Sequence, residues 1–207
     1  MSDVTGTLYI ISAPSGAGKT SLVKALLQVI EHITVSVSHT TRPSRVGETD
    51  GVDYHFVDKS TFEGLLNNQQ FLEHAQVFDN YYGTAQKSVE TLLNQGTDVI
   101  LEIDWQGAEQ VRKIFTEAVG VFILPPSRAE LEQRLQGRGQ DSEAIIQRRM
   151  RDAVNEMCHY APFDYLVIND DFETALSELQ AIVQTQRLRM SVQSQRQASL
   201  LAELIKI

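Results

Sequence analysis

The sequence predicts an α/β fold: a parallel sheet covered on both faces by helices, with two inserts at one end of the sheet. Three observations predict it. Short apolar and β-branched runs recur at 8–12, 34–37, 99–103, 121–124 and 165–168. Helix-period apolar patterns lie between several of them, and a small-residue loop joins the first run to the first helical pattern. Apolar strands alternating with helices mark a parallel sheet buried on both sides.

Taken in chain order, the run at 8–12 is the first strand. Ala13, Pro14, Ser15, Gly16, Ala17, Gly18, Lys19 and Thr20 follow, and Leu22, Val23, Leu26, Leu27 and Ile30 then recur at helix spacing. This is the strand–loop–helix context of a phosphate-cradling P-loop. Its backbone N–H groups point inward, and the helix N-terminus adds partial positive charge. Lys19 is placed to reach outer phosphates and the Thr20 hydroxyl to ligate magnesium. Ala13 stands where the pattern has its first glycine. An ordinary glycine-rich turn would not need Gly16, Gly18, Lys19 and Thr20 in register, so the expected class is a P-loop NTPase fold with a three-layer core.

After the strand at 34–37, residues 38–85 break the alternation. They are rich in Thr, Gly, Tyr and Asp, with an extended piece at 54–57 and a helix opened by a capping box at Ser60 and Glu63. In the strand at 99–103, the period of two puts Glu102 and Asp104 on one face at its end, where ligands of open α/β sheets bind. Carboxylates there organise Mg²⁺, usually through water. Asp104 is also placed to cap the helix carrying Ala108, Val111, Ile114 and Phe115. Beyond the strand at 121–124, Ser127 and Glu130 form a second capping box, Gly137 ends that helix, and Arg138 lies in a glycine-flanked turn. The last third, after Asp171, is amphipathic through Leu176, Leu179, Ile182 and Val183. The expected division is a core of 1–37, 86–125 and 155–207, an insert of 38–85 and a lid of 126–154.

Composition narrows the function classes. The 207 residues, 42% of them hydrophobic, suffice for one sizeable core. No stretch is long and apolar enough to span a bilayer, and the N-terminus lacks a signal-peptide layout. The single cysteine, Cys158, excludes an intramolecular disulfide, and the five histidines show no metal-ligand spacing. A cytoplasmic protein is expected. A net charge of −9 argues against nucleic acid as a partner. Yet six of the twelve arginines fall within 128–151, and Arg42 and Arg45 share a polar segment. Some of these, Arg128 and Arg148 first, belong to solvated helix faces. The rest suit small phosphorylated ligands, and Arg42, Arg45 and a nearby tyrosine form a set able to clamp one phosphate.

The blocks 12–20, 38–45, 71–84 (Phe-Leu-Glu-His-Ala-Gln-Val-Phe-Asp-Asn-Tyr-Tyr-Gly-Thr), 103–107 (Ile-Asp-Trp-Gln-Gly), 134–139 and 167–171 resemble guanylate kinases, over essentially the whole chain. The resemblance implies transfer of the γ-phosphoryl of ATP to GMP, and to dGMP, with Mg²⁺. It implies ATP contacts from the 13–20 loop and Asn169, and GMP-phosphate contacts from Arg42, Arg45, Tyr54 and Tyr82. Guanine would be read by Ser38, Glu73, Thr84 and Asp104. A carboxylate at Glu73 can accept from guanine N1 and N2, whereas adenine offers an acceptor at N1. Catalysis would fall to Lys19, Arg42 and the lid arginines Arg134, Arg138 and Arg149, and the metal to Thr20, Glu102 and Asp104, the carboxylates through water. Glu102 departs from the family's Asp-Ile-Asp run by one methylene. Asn169 would otherwise read as a strand-end cap. The alternatives are an inactive guanylate-kinase-like binding module, against which the P-loop and arginines stand, and a P-loop kinase of another phosphorylated small molecule. A homo-oligomer through the C-terminal helix stays open.

Overall fold

The computed structural model describes residues 5–77, 79–137 and 143–206. In chain order the elements are β1 (Leu8–Ser12), α1 (Lys19–Val29), β2 (Ile33–Val35), β3 (His39–Thr40), β4 (His55–Phe56), α2 (Lys59–Asn67), β5 (Phe71–Val77), β6 (Asn80–Ala85) and α3 (Gln86–Asn94). They continue with β7 (Asp98–Glu102), α4 (Trp105–Ile114), β8 (Val119–Leu124), α5 (Arg128–Gly137), α6 (Glu143–Met157), β9 (Tyr165–Ile168), α7 (Phe172–Arg187), α8 (Met190–Arg196) and α9 (Ala198–Leu204).

The expected parallel sheet is present, with five strands in the order β2-β7-β1-β8-β9. Every residue of β1 is buried, because alternate side chains feed two different cores. Tyr9 and Ile11 pack with Leu22, Leu26, Leu179 and Val183 from α1 and α7. Leu8 and Ile10 pack with Val89, Leu93, Ala108 and Val111 from α3 and α4. That is the three-layer arrangement. A third cluster, Leu131, Leu135, Ile146 and Ala153, joins α5 to α6. Asp98, wholly buried at the start of β7, accepts from Thr7 N at 2.7 Å and from Arg187 Nε at 2.8 Å, tying α7 to the sheet.

Within 38–85 the chain builds a second sheet, β4-β3-β6-β5, in which β6 runs antiparallel to both β3 and β5. The length of β5 and β6 exceeds the short extended pieces expected. The predicted cap of α2 is also corrected. The helix starts at Lys59 with Asp58 as its cap, accepting from Thr61 N at 2.7 Å, and Ser60 Oγ itself donates to Asp58. A carboxylate two residues earlier outcompetes a hydroxyl for the exposed amides. The C-terminal pattern is likewise not one helix but three. Among the described residues, no helix is long and apolar enough to cross a membrane.

Candidate active site

The loop after β1 turns sharply because Gly16 and Gly18 both adopt φ 93°, a conformation open to glycine at little cost. Each also makes room for a neighbour. A Cβ on Gly16 would meet Leu135 Cδ2 at 2.9 Å, and one on Gly18 would meet Asn169 Nδ2 at 2.3 Å. Ala13 is not among the positive-φ residues and packs on the core beneath. Its backbone therefore does not need the pattern's first glycine.

The loop forms one wall of a cavity of about 300 Å³ at the carboxyl ends of β1 and β7. Of the residues picked out by sequence, Ala13, Pro14, Ser15, Gly16, Gly18, Lys19, Thr20, Ser38, Tyr54, Glu73, Tyr82, Glu102 and Asp104 line it. Ala17 is buried behind the loop, and its carbonyl accepts from Asn169 Nδ2 at 2.7 Å. Asn169 does not cap α7, the helix that follows β9; Asp171 does, through Thr174 N. The Asn169 carbonyl accepts from Arg134 Nη2 at 3.0 Å, while Arg134 Nε donates to Glu130. Arg149 Nη2 donates to Ser15 Oγ at 2.7 Å. Arg138 lies outside the described residues.

Glu73 is where the second sheet meets the cavity. Strict alternation would put Leu72 and Glu73 on opposite faces, but the register shifts between Phe71 and Glu73, and both are buried. Leu72 enters the core while the Glu73 carboxylate is aimed inward. Thr84, wholly buried, donates to Glu73 Oε1 at 2.5 Å, and Ser38 Oγ lies 3.1 Å from Thr84 Oγ1. Burial pushes the Glu73 carboxyl up to about 7; Asp104 adds to this, while the Thr84 hydrogen bonds and Lys19 oppose it. The absence of a side chain at Gly107 makes the fit possible, since a Cβ there would meet Glu73 Oε2 at 2.6 Å.

The two strand-end carboxylates behave differently. β7 ends at Glu102, so Asp104 lies beyond the strand and not on its face. Asp104 caps α4, with Oδ1 accepting from Gly107 N at 2.9 Å and Oδ2 from Gln106 Nε2 at 3.1 Å. Glu102 Oε2 instead accepts from Thr20 Oγ1 at 3.0 Å. The extra methylene thus brings this carboxylate to the loop's hydroxyl. Hydroxyl and carboxylate oxygens are hard donors suited to Mg²⁺. Among the described residues no group of three or more His, Cys, Asp or Glu is arranged to hold a metal, so an ion here would complete its shell with phosphate oxygens and water.

Arg42 makes a bidentate pair with Glu48, at 2.8 and 3.0 Å, and its guanidinium lies 5.4 Å from the Tyr54 ring centroid. The Glu48 hydrogen bond raises the Arg42 pKa and holds the Glu48 carboxyl below the usual range. Tyr54 and Tyr82 stand edge to face at 6.0 Å. Arg42, Tyr54 and Tyr82 are therefore gathered, whereas the Arg45 residue is exposed and its backbone meets Glu48, N donating to the carboxylate and O accepting from Glu48 N. Sequence reasoning missed Glu48, Gly107 and Glu156. Glu156 Oε2 accepts from Ser15 N at 3.0 Å and lines the same cavity. Its spacing of seven from Arg149 was the available signal.

A family model described as guanylate kinase matches residues 5–186. The chain belongs to the guanylate kinase family. It is 61% identical to a guanylate kinase of Methylococcus capsulatus, over 97% of this chain and 98% of that protein. It is 60% identical to one of Chromohalobacter salexigens, over 97% and 93%. Among solved structures, guanylate kinase from Anaplasma phagocytophilum superposes with a TM-score of 0.76 at 33% identity, covering 92% of this chain and 90% of that one. The family fold is thus the P-loop α/β fold expected from the sequence.

Proposed function

We propose that this chain transfers the γ-phosphoryl of ATP to GMP, giving ADP and GDP, with dGMP as a second acceptor, and that it acts in the cytoplasm in purine nucleotide metabolism. The observation that carries the reading is buried Glu73, bonded to buried Thr84 and through it to half-buried Ser38, with Glu73 and Ser38 lining one cavity with Lys19 and the P-loop. An acceptor base and a phosphate donor thereby meet in a single site.

In this reading Glu73 accepts from guanine N1 and N2, with Ser38 and Thr84 beside it, and a site built on such hydrogen bonds discriminates by roughly 10⁴–10⁵ when the wrong base leaves buried groups unpaired. Asp104 serves as the helix cap that sets the floor of the base pocket. Arg42, Arg45, Tyr54 and Tyr82 hold the GMP phosphate, which requires Arg42 to exchange its Glu48 partner for a phosphate. One GMP phosphate oxygen bonds to the γ-phosphorus as the bond to the β–γ bridging oxygen breaks, and ADP leaves with that electron pair. Lys19 and the arginines 134, 138 and 149 neutralise the charge on the group in transfer. Residues 13–20 hold the ATP phosphates. Asn169 holds the loop from behind and stands toward the adenine. Thr20 and Glu102, with Asp104 through water, would hold Mg²⁺, which supplies charge neutralisation at the phosphates. The division into a core, an acceptor insert of 38–85 and a lid of 126–154 belongs to the same proposal.

Nothing in the site favours the two alternatives. An inactive module has no use for Lys19 beside an ordered phosphate loop, and another phosphorylated acceptor has no use for a buried carboxylate–hydroxyl pair. The test is ADP release with GMP, dGMP, AMP, UMP and CMP side by side. GMP and dGMP are expected to turn over; equal turnover of AMP would overturn the base-reading argument.

A further inference from the structure

Ser15, at the tip of the phosphate loop, is held twice by one helix. Its N–H donates to Glu156 Oε2 at 3.0 Å, and its Oγ accepts from Arg149 Nη2 at 2.7 Å. The two residues are seven apart on α6, close to two full turns, and so lie on one face. Ala153 lies between them, wholly buried in the α5–α6 cluster. Its small side chain lets the helix approach closely enough for both contacts.

The end of α6 is fixed in turn. His159, two residues past the helix, stacks on Trp105 with ring centroids 3.6 Å apart and planes 5° from parallel. Trp105 is the first residue of α4, directly after Asp104. Glu156 therefore sits between two anchored points, the loop tip and the α4 N-terminus, on the wall of the cavity that also holds Lys19 and Asp104.

We propose that Glu156 is a positioning residue for phosphoryl transfer: its carboxylate fixes the loop tip through the Ser15 N–H and thereby presents Ser15 Oγ to Arg149. The chemistry needed is an acceptor of this length, not a base or a metal ligand. Burial in the cavity wall raises the Glu156 carboxyl, with Asp104 adding and the Ser15 N–H and Lys19 opposing. A glutamine would place a neutral amide oxygen where Glu156 Oε2 accepts from the Ser15 N–H.

The inference rests on the kinase reading above, and the experiment separates the two. Wild-type turnover of ATP with GMP tests that reading. Glu156→Ala and Glu156→Gln, each with ATP and GMP varied separately, test this one. Loss of a hydrogen bond to a charged group predicts that Glu156→Ala lowers kcat/KM for ATP by at least about tenfold, with the KM for GMP within about twofold of wild type and an unchanged melting temperature. Glu156→Gln is expected to recover most of that loss. The proposal is overturned by wild-type kinetics in Glu156→Ala, by equal damage in both variants, or by parallel losses in both substrates accompanied by a lower melting temperature, which is the signature of a merely structural carboxylate.

Discussion

The two sheets of this protein are built on opposite principles. The five-stranded sheet is buried at its centre, β1 along its whole length and β7 and β8 nearly so, with β2 and β9 more exposed at its edges. The four-stranded sheet includes two strands of two residues each and buries Thr40, Glu73 and Thr84. The first is held by apolar area, where the ion pair of buried Asp98 with Arg187 fastens a helix rather than a ligand. The second spends its burial on polar groups, which are costly unless partnered. Thr84 partners Glu73 in part, and in the proposed function guanine offers the donors still lacking. The contrast teaches that the core supplies rigidity and the phosphate loop, while the insert gives up apolar packing for buried polar groups, which the proposed function uses for selectivity.

That contrast predicts which property each substitution breaks. The largest effect is expected at Lys19, where the core sheet delivers its catalytic group. Lys19→Ala should lower kcat by about 10³, or about 4 kcal/mol, with a circular-dichroism melting curve close to wild type. A variant that keeps full kcat would remove Lys19 from its assigned role. Next comes the core itself. Arg187→Ala strands Asp98 and should cost about 3 kcal/mol of stability, seen in urea unfolding, while both KM values stay near wild type. If GMP binding fell as far as stability, the two regions would not be separable.

A smaller effect should come from the insert. Glu73→Gln presents an amide where guanine needs a carboxylate, and the lost charged hydrogen bonds should raise the GMP KM by roughly 10- to 100-fold, about 1.5–3 kcal/mol, with the ATP KM unchanged. The smallest is the pH response of the same group. Glu73 reaches about 7 in the folded protein because it is buried, and in the proposed function only its ionised form accepts from both guanine N1 and N2. GMP affinity should therefore rise with pH through that value, by up to about tenfold between pH 6 and 8. For stability the sign is opposite. The raised carboxyl binds its proton more tightly folded than unfolded, so its contribution is lost as pH climbs from the ordinary carboxyl range toward 7. A KM profile equally steep in wild type and Glu73→Gln would assign the pH response to another group.

Much of the core was legible in advance because its signals are local. The strands at 8–12 and 165–168 were read with their observed limits, and Asp104 was recognised as a possible helix cap from its place before an apolar-periodic stretch. The insert was less legible. Its strands are too short and too polar for periodicity to mark them, and the Ser60 capping box lost to Asp58 because two competing acceptors lay within three residues. Site residues were named mainly through family likeness. Their present partners differ in kind: Glu48 and Glu130 lie six and four residues from Arg42 and Arg134, whereas Ser15 lies 134 positions from Arg149 and only folding brings it there.

The sequence alone determined the phosphate loop and the alternating α/β order, because each is written in residues adjacent or nearly adjacent in the chain; Glu73 was marked only by the family resemblance. The tertiary structure alone decided that Leu72 and Glu73 are buried together, that Gly107 leaves space for that carboxylate, and that Glu156 reaches Ser15 across 141 positions. A bulge, a missing Cβ and a helix laid against a loop act between distant segments, and no local pattern of residue types records them.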